Sequence, residues 1–154
     1  MNVRVAEICT RAVVTCQRDT SALDLARLMR ERHVGAVVVV DEHEGRATPV
    51  GIVTDRDLVV EIMACGVDPG ALRVGDLIVA EPETALDSEL VFDAVWHMRR
   101  KGIRRLPVVD ARGHLLGILS ADDVTRLLAG QLTGVADLVL GQALREEIKQ
   151  EALA

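Results

Sequence analysis

The pattern of apolar and polar residues occurs twice along this chain. Amphipathic segments and continuous apolar runs recur in the same order at a spacing of 69 residues, which aligns Met29 with Met98. The spacing falls to 66 residues after the turn between the two apolar runs, where Gly51 aligns with Gly117. A length difference confined to a turn is typical of a structural repeat, because turns tolerate insertions. The chain is therefore predicted to be an internal duplication.

Both copies predict the order β-α-β-β-α after a short helical turn, since apolar residues at helical spacing indicate helices and continuous apolar runs indicate buried strands. The elements of the first copy are a turn at 5–8, a strand near Thr15, a helix capped within 19–21, a strand at 36–40, a turn at 42–49, a strand at 50–53 and a helix over 55–65 that ends at Gly66. Those of the second are a turn at 74–78, a strand near Thr84, a helix capped by Asp87 or Ser88, a strand at 106–109, a turn at 111–114, a strand at 115–119 and a helix over 121–129 that ends at Gly130.

These elements predict an α+β fold in which two repeats pack sheet to sheet about a pseudo-two-fold axis. One repeat alone is too short to bury a comfortable core, so the two are expected to share one. We place repeat 1 at 1–66, repeat 2 at 67–130 and a C-terminal helical extension at 131–154. One face of the extension is apolar, and this face either folds back over the domain or contacts a partner. Its residues are Leu132, Val135, Leu138, Val139 and Leu144, followed by a charged tail at 145–151.

Composition narrows the classes of ligand and partner. The net charge of −6 argues against binding to duplex nucleic acid, which needs a basic face. With one Trp, one Phe and no Tyr, a flat ligand would be held by aliphatic side chains. The basic segment 99–105 is short and suits a small anion. No apolar run approaches the roughly 18 residues of a membrane helix, and the N-terminus lacks a signal-peptide pattern, so we expect a cytoplasmic protein that does not contact membranes.

Histidines and cysteines form no recognisable metal-binding or catalytic pattern. These residues are His33, His43, His97 and His114, and Cys9, Cys16 and Cys65. The histidines lack metal-ligand spacing, and the cysteines lack a Cys-x-x-Cys pair, which favours reduced, packed thiols. We therefore expect no metal, no required cofactor, no catalytic residues and no enzyme activity. A reactive thiol at Cys16 or Cys65 is the one feature that would support an enzyme.

A short polar motif follows the second apolar run of each copy. It reads Gly-Ile-Val-Thr-Asp-Arg-Asp from Gly51 to Asp57 and Gly-Ile-Leu-Ser-Ala-Asp-Asp from Gly117 to Asp123. A hydroxyl and a carboxylate three positions apart are typical of a helix capping box. A glycine inside a strand indicates that something approaches the backbone closely. A helix N-terminus attracts phosphate and an ionised Asp can accept both ribose hydroxyls, so the motif predicts either a helix cap or a nucleotide site.

The doubled motif resembles the cystathionine β-synthase (CBS) domain, of which a tandem pair is called a Bateman module. The resemblance covers residues 1–130 and implies that the motif aspartates hold ribose, that the motif hydroxyls lie near phosphates and that an early threonine contacts the base. On this chain those residues are Asp57 and Asp123, Thr54 and Ser120, and Thr15 and Thr84. The remaining candidate ligand-binding residues are Gly51, Gly117, Arg56, Arg104 and Arg105.

The two copies differ in charge just before the first apolar run. Arg104 and Arg105 occupy this place in the second copy, whereas the first copy has Gly35 and Ala36. The arginines either neutralise a polyphosphate or form a solvated pair facing carboxylates. We therefore predict two unequal sites.

The resemblance implies a regulatory module that binds AMP, ADP or ATP in the clefts between the repeats, with S-adenosylmethionine or NAD as further candidates. Ligand binding would shift the conformation and signal to an unidentified protein target. A homodimer is expected, with Trp96 as a contact residue. The alternative is a ligand-free interaction or stress-response protein in which the motifs serve only as helix caps.

Overall fold

A computed structural model describes residues 2–151 of the chain, and the side chains of residues 2–142. The described chain divides into two units, one ending at Ser120 and one beginning at Ala121. The first unit contains both sheets, and the second is a single helix. No helix within residues 2–151 combines the length and the apolar character needed to cross a membrane.

The elements of the first unit follow the predicted order in both repeats. Repeat 1 consists of α1 (Val5–Ile8), β1 (Thr15–Cys16), α2 (Ala22–Arg32), β2 (Ala36–His43), β3 (Arg46–Thr54) and α3 (Asp55–Asp57), which continues as a π-helix over Leu58–Met63. Repeat 2 begins with a 3₁₀-helix (Val74–Leu77), followed by β4 (Ala85–Leu86), α4 (Val91–Lys101), β5 (Arg105–Val109) and β6 (Leu115–Ser120). The second unit is α5 (Ala121–Glu151).

Each repeat forms one three-stranded sheet, ordered β1-β2-β3 and β4-β5-β6. The outer strands β1 and β4 pair in parallel with β2 and β5, and the other pairings are antiparallel. Strands β3 and β6 of the two repeats lie against each other. The structure therefore confirms the predicted α+β fold of two packed sheets.

The core forms where α2 and α4 cover the sheets. Leu25 and Met29 of α2 are buried against Val37, Val39 and Val53 of the first sheet. Because β2 is buried on both faces, its sequence is a continuous run of valines rather than an alternation. The N-cap predicted within 19–21 is Ser21, whose hydroxyl accepts a hydrogen bond from the backbone N–H of Asp24 at 3.0 Å.

The predicted cap of α4 is wrong. The helix begins at Val91 with Leu90 as its N-cap, and neither Asp87 nor Ser88 caps it. The backbone of Asp87 is used elsewhere, because its N–H donates to Val109 O at 3.0 Å and its carbonyl accepts from Ala6 N at 3.0 Å. Pairing with β5 and α1 therefore delays the start of the helix.

The segments that precede β1 and β4, which we call the leaders (residues 2–14 and 74–84), pack against the opposite repeat. Thr10 and Ile118 exchange two backbone hydrogen bonds of 2.9 Å, so leader 1 adds to the edge of β6. Val74 N donates to Thr20 O at 2.9 Å, and Gly75 N donates to Arg18 O at 2.8 Å, which ties leader 2 to repeat 1. The two repeats are thus joined reciprocally as well as through β3 and β6.

The turn predicted at 42–49 is too long. Strands β2 and β3 pair as far as His43 and Arg46, and only Glu44 and Gly45, both with positive φ, form the turn. A two-residue turn with both φ positive matches the twist of a hairpin. Pro49 lies within β3 opposite Val40, where the register shifts, and such an irregularity tolerates a residue without an N–H.

The predicted helix end at Gly130 is also wrong, because α5 continues through Gly130, Gly134 and Gly141 to Glu151. The corresponding helix of repeat 1 ends at Met63 and Gly66 follows in a turn with φ +66°, whereas Gly130 does not adopt a positive φ. A glycine inside a helix costs only about 1 kcal/mol relative to Ala, and strong helix formers flank Gly130. The predicted boundary between residues 130 and 131 therefore lies inside one helix.

The apolar face of α5 is exposed as far as the structure describes it. Its residues Leu132, Val135, Leu138 and Val139 are 59 to 74% exposed. The side chains of Leu144 and of 145–151, predicted as the end of this face and as a charged tail, lie outside the described side chains.

Candidate functional site

The first motif forms a helix cap at the junction of β3 and α3. The backbone N–H of Thr54 donates to Asp57 Oδ2 at 2.7 Å, and the Thr54 hydroxyl donates to the same oxygen at 2.8 Å. The Thr54 hydroxyl also accepts from the backbone N–H of Asp57 at 3.3 Å. These contacts complete a capping box, as the motif alone predicts. No donor among the described side chains and backbone reaches Asp57 Oδ1, so a half-buried carboxylate keeps acceptor capacity for a ligand hydroxyl.

The second motif lies at the junction of β6 and α5. Ser120 is the last residue of β6, and α5 begins at the next residue. Within α5, Asp123 is 7% exposed and its Oδ1 accepts a hydrogen bond from the guanidinium of Arg126. The second aspartate therefore has an arginine partner, which Asp57 lacks among the described side chains (residues 2–142).

An arginine at the start of β5 lies beside the second motif, and repeat 1 has no charged residue in the corresponding place. Arg105 lies directly opposite Ser120 in the antiparallel ladder of β5 and β6, whereas Ala36 lies opposite Thr54 in repeat 1. Residues directly opposite each other in such a ladder extend to the same face, with Cβ atoms about 5 Å apart. The half-buried Arg105 makes no ion pair among the described side chains (residues 2–142), while Arg104 is exposed.

The two motif glycines are explained by the leaders. A Cβ on Gly51 would lie 2.7 Å from Ile78 Cδ1, and a Cβ on Gly117 would lie 2.9 Å from Cys9 Sγ and 2.9 Å from the Thr10 carbonyl oxygen. The sequence correctly indicated a close approach at both glycines, but the approaching atoms belong to the chain itself. The close approach at Gly51 and Gly117 therefore no longer supports ligand contact there, and that contact stays a prediction.

The early threonines lie in different surroundings. Thr15 is exposed in β1. Thr84 directly precedes β4 and lines a cleft of about 320 Å³ between the repeats, together with Arg18, Val50 and Val109. A volume of about 300 Å³ is the lower end of the range for small-molecule sites. Of the predicted site residues, only Thr84 lines this cleft, and Arg56 is exposed in α3 away from it.

Three charged contacts near this cleft were not predicted from the sequence. Arg18, which lines the cleft, has its Nε 3.1 Å from Asp41 Oδ1. Glu83, beside Thr84, accepts from Lys101 and lies 2.8 Å from Nε2 of His97 on α4. The hydrogen bonds from Lys101 and then His97 lower the pKa of Glu83 below its usual value. These pairs join residues that lie far apart along the chain. No local sequence pattern could therefore have predicted them.

Thiol chemistry has little support in the structure. Cys9 and Cys16 are buried and Cys65 is exposed. Burial raises the pKa of the Cys16 thiol to about 11, which suppresses the reactive thiolate. Within the described residues, no group of three or more His, Cys, Asp or Glu side chains is arranged to hold a metal ion.

Comparison with known proteins agrees with the two-repeat architecture. The family model described as CBS domain matches residues 5–64 and 74–130. Protein MK0525 of Methanopyrus kandleri is 37% identical over 127 residues, which cover 82% of this chain and 63% of that protein. The chain thus spans less than two thirds of the length of this relative.

Two solved structures with similar folds contain AMP. The CBS domain protein PAE2072 from Pyrobaculum aerophilum, complexed with AMP, is 28% identical with a TM-score of 0.71, covering 79% of this chain and 89% of that one. CBSX2 in complex with AMP is 31% identical with a TM-score of 0.69, covering 84% of this chain and 98% of that one. Since the family model matches both repeats in succession, this chain belongs to the CBS-domain family and carries two CBS domains in tandem.

Proposed function

We propose that this chain is a regulatory module that binds an adenine nucleotide, AMP first among the candidates, in clefts formed by its two CBS repeats. The observation that carries the proposal is the half-buried Arg105, which makes no ion pair among the described side chains (residues 2–142) and lies opposite Ser120 in the β5–β6 ladder. A guanidinium without a carboxylate partner is suited to bidentate binding of phosphate. The AMP complexes of two solved relatives support an adenosyl ligand.

Each repeat offers a carboxylate for ribose and a hydroxyl for phosphate. In repeat 1 the open Oδ1 of Asp57 accepts a ribose hydroxyl, while Thr54 lies at the strand-to-helix junction for a phosphate. In repeat 2 Asp123 and Ser120 have the corresponding roles, and Arg105, with Arg104 beside it, neutralises phosphate. Aliphatic side chains hold the base, because the chain has one Trp, one Phe and no Tyr. ADP, ATP, S-adenosylmethionine and NAD share the adenosyl group and remain further candidates.

The output of the module is regulatory rather than catalytic. Binding to one conformation in preference to another shifts the population of conformations, and a partner protein reads this shift. We further propose a homodimer through α4, on which Trp96 is 60% and Phe92 44% exposed. These residues are four positions apart and therefore share one helix face. The Arg100 guanidinium lies 4.9 Å from the centre of the Trp96 ring and keeps the ring orientation defined.

A second candidate function is favoured by the complete capping box of Thr54 and Asp57. In this alternative the protein acts through protein interactions, its clefts stay empty, and the motifs only cap helices. Calorimetric titration with AMP separates the two proposals. The nucleotide-binding module should give two binding events of unequal affinity. An absence of binding would favour the alternative, and two identical sites would contradict the role given to Arg105.

A further inference from the structure

A second cavity lies at the tips of the two hairpins, separate from the motif residues. It has a volume of about 660 Å³ and is lined by the β2–β3 turn of repeat 1 and the β5–β6 turn of repeat 2. Arg46 and Arg112 both line it. Arg46 begins β3 and Arg112 lies in the turn before β6, so each hairpin contributes one arginine to the same cavity.

Both guanidinium groups are available to a ligand. Arg46 and Arg112 are exposed, and neither side chain makes an ion pair with a carboxylate among the described side chains (residues 2–142). The backbone N–H of Arg112, rather than its guanidinium, donates to Asp110 Oδ1 at 2.8 Å. Two guanidinium groups that share a cavity repel each other unless an anion lies between them.

The acidic lining residue of this cavity is Asp110, and its carboxylate is already bound within its own turn. It accepts from the backbone N–H groups of Arg112 at 2.8 Å and of His114 at 2.9 Å, and its Oδ2 lies 3.0 Å from His114 Nδ1. The backbone N–H of His114 makes the largest contribution to lowering the pKa of Asp110 to about 2. With two arginines against one carboxylate, the lining carries a net positive charge when His114 is neutral.

The His114 ring is also held in place. Its Nδ1 is bonded to Asp110, and Nε2 has no hydrogen-bond partner in the part of the chain whose side chains are described (residues 2–142). A carboxylate that fixes one ring nitrogen leaves the other oriented for a ligand, as in many sites that use histidine. The cavity therefore combines two guanidinium groups and one imidazole, which are the usual side chains of phosphate recognition.

We propose that the hairpin cavity is a binding site for a small polyanion that carries phosphate groups, with Arg46 and Arg112 as the principal contacts and His114 as a further donor. The site is independent of the proposed nucleotide clefts, because none of the candidate residues of the two motifs lines it. The phosphate groups come either from a free inorganic ligand or from a nucleotide.

Nuclear magnetic resonance of the full ¹⁵N-labelled chain tests this proposal, with pyrophosphate and ADP titrated separately. Gly45 of the first hairpin and Ala111 of the second both line the cavity, and their amide signals report on it. Gly102, at the end of α4, serves as the reference signal. Saturable shifts at Gly45 and Ala111 with pyrophosphate alone identify a free phosphate ligand, and shifts with ADP alone identify a nucleotide. An absence of saturable shifts with either probe overturns the proposal.

Two double variants complete the test. Changing Arg46→Gln together with Arg112→Gln should weaken binding at least about tenfold, which corresponds to about 1.4 kcal/mol. The control, Arg30→Gln with Arg32→Gln, removes the same charge from the exposed end of α2 and should change the affinity less than about twofold. If both double variants lost the same affinity for pyrophosphate, the effect would come from net charge alone, and the proposed site would be overturned. The double variant Asp57→Ala with Asp123→Ala should leave the pyrophosphate-induced shifts intact. If this variant abolished the shifts, pyrophosphate would be binding in the nucleotide clefts, and the proposed hairpin site would be overturned.

Discussion

Arg105 and Ser120 lie directly opposite each other at the end of the β5–β6 ladder, while repeat 1 has Ala36 and Thr54 in the same two places. This pair makes the two halves of a duplicated fold chemically different. One half places an arginine opposite the hydroxyl residue of its motif, and the other places an alanine. We therefore propose that the two clefts bind phosphate with different strength, although their strands pair in the same way.

Arg105→Gln should weaken AMP binding at the tighter site about tenfold or more while leaving adenosine binding unchanged. A hydrogen bond to a charged group contributes about 1.5–3 kcal/mol, and adenosine has no phosphate for the arginine to contact. Calorimetry with both ligands measures the difference. Arg30→Gln removes an equal charge from α2 and is the control. An equal loss of adenosine affinity would show that Arg105 supports the cleft rather than binding phosphate.

The motif glycines differ in the cost of adding a methyl group. Gly117→Ala should lower the free energy of unfolding by about 1–3 kcal/mol. The new Cβ would meet the Thr10 carbonyl oxygen, which is fixed by its hydrogen bond from Ile118. Gly51→Ala should cost less, because only the flexible side chain of Ile78 must move. Urea unfolding measures both variants.

Gly130→Ala is the control for these glycine variants. A methyl group at this position meets no atom within 4 Å, so the substitution should stabilise α5 by roughly 1 kcal/mol or less. Equal destabilisation by Gly51→Ala and Gly117→Ala would argue against the packing of the leaders described above.

These outcomes bear on how much the sequence could predict. The 69-residue spacing and the valine runs gave the repeats, the sheets and most helices, because burial on both faces leaves a continuous apolar run. The glycines also indicated a close approach, but Cys9 lies far from Gly117 along the chain, so the approaching segment could not be identified. The cap at Leu90 and the pair of Glu83 with His97 likewise depend on contacts between distant elements.

The stability of the β5–β6 turn should depend on acid pH through Asp110. Its ordinary pKa of 3.8 falls to about 2 in the folded chain, chiefly because of the hydrogen bond from the His114 backbone. A lowered folded-state pKa contributes stability that is fully present above about pH 4 and is lost as the pH falls toward 2. Thermal unfolding between pH 5 and 2 should be less pH-dependent in Asp110→Asn than in the unchanged protein. Identical pH profiles would contradict the role of Asp110.

The α4 face is expected to hold two copies of the chain together. Trp96→Ala should shift the monomer–dimer equilibrium toward the monomer by tenfold or more, since a buried Trp is a frequent anchor of interfaces. Sedimentation equilibrium measures this shift. Leu132→Ala on α5 removes a comparably exposed apolar side chain and should have little effect. If Leu132→Ala weakened the dimer more than Trp96→Ala, the interface would lie on α5 rather than on α4.

The central claim is that the motif carboxylates bind a ligand in addition to capping helices, and Asp57→Ala compared with Asp76→Ala tests it most directly. Asp76 Oδ2 accepts from the Arg73 backbone N–H at 3.0 Å, a capping contact like that of Asp57 but outside the predicted clefts. Each substitution should lower the stability of the ligand-free protein by roughly 1 kcal/mol, because each removes a capping contact. The decisive measurement is the rise in Tm caused by AMP. We expect Asp57→Ala to lose most of this rise and Asp76→Ala to keep it, and an equal rise in both variants would contradict the claim.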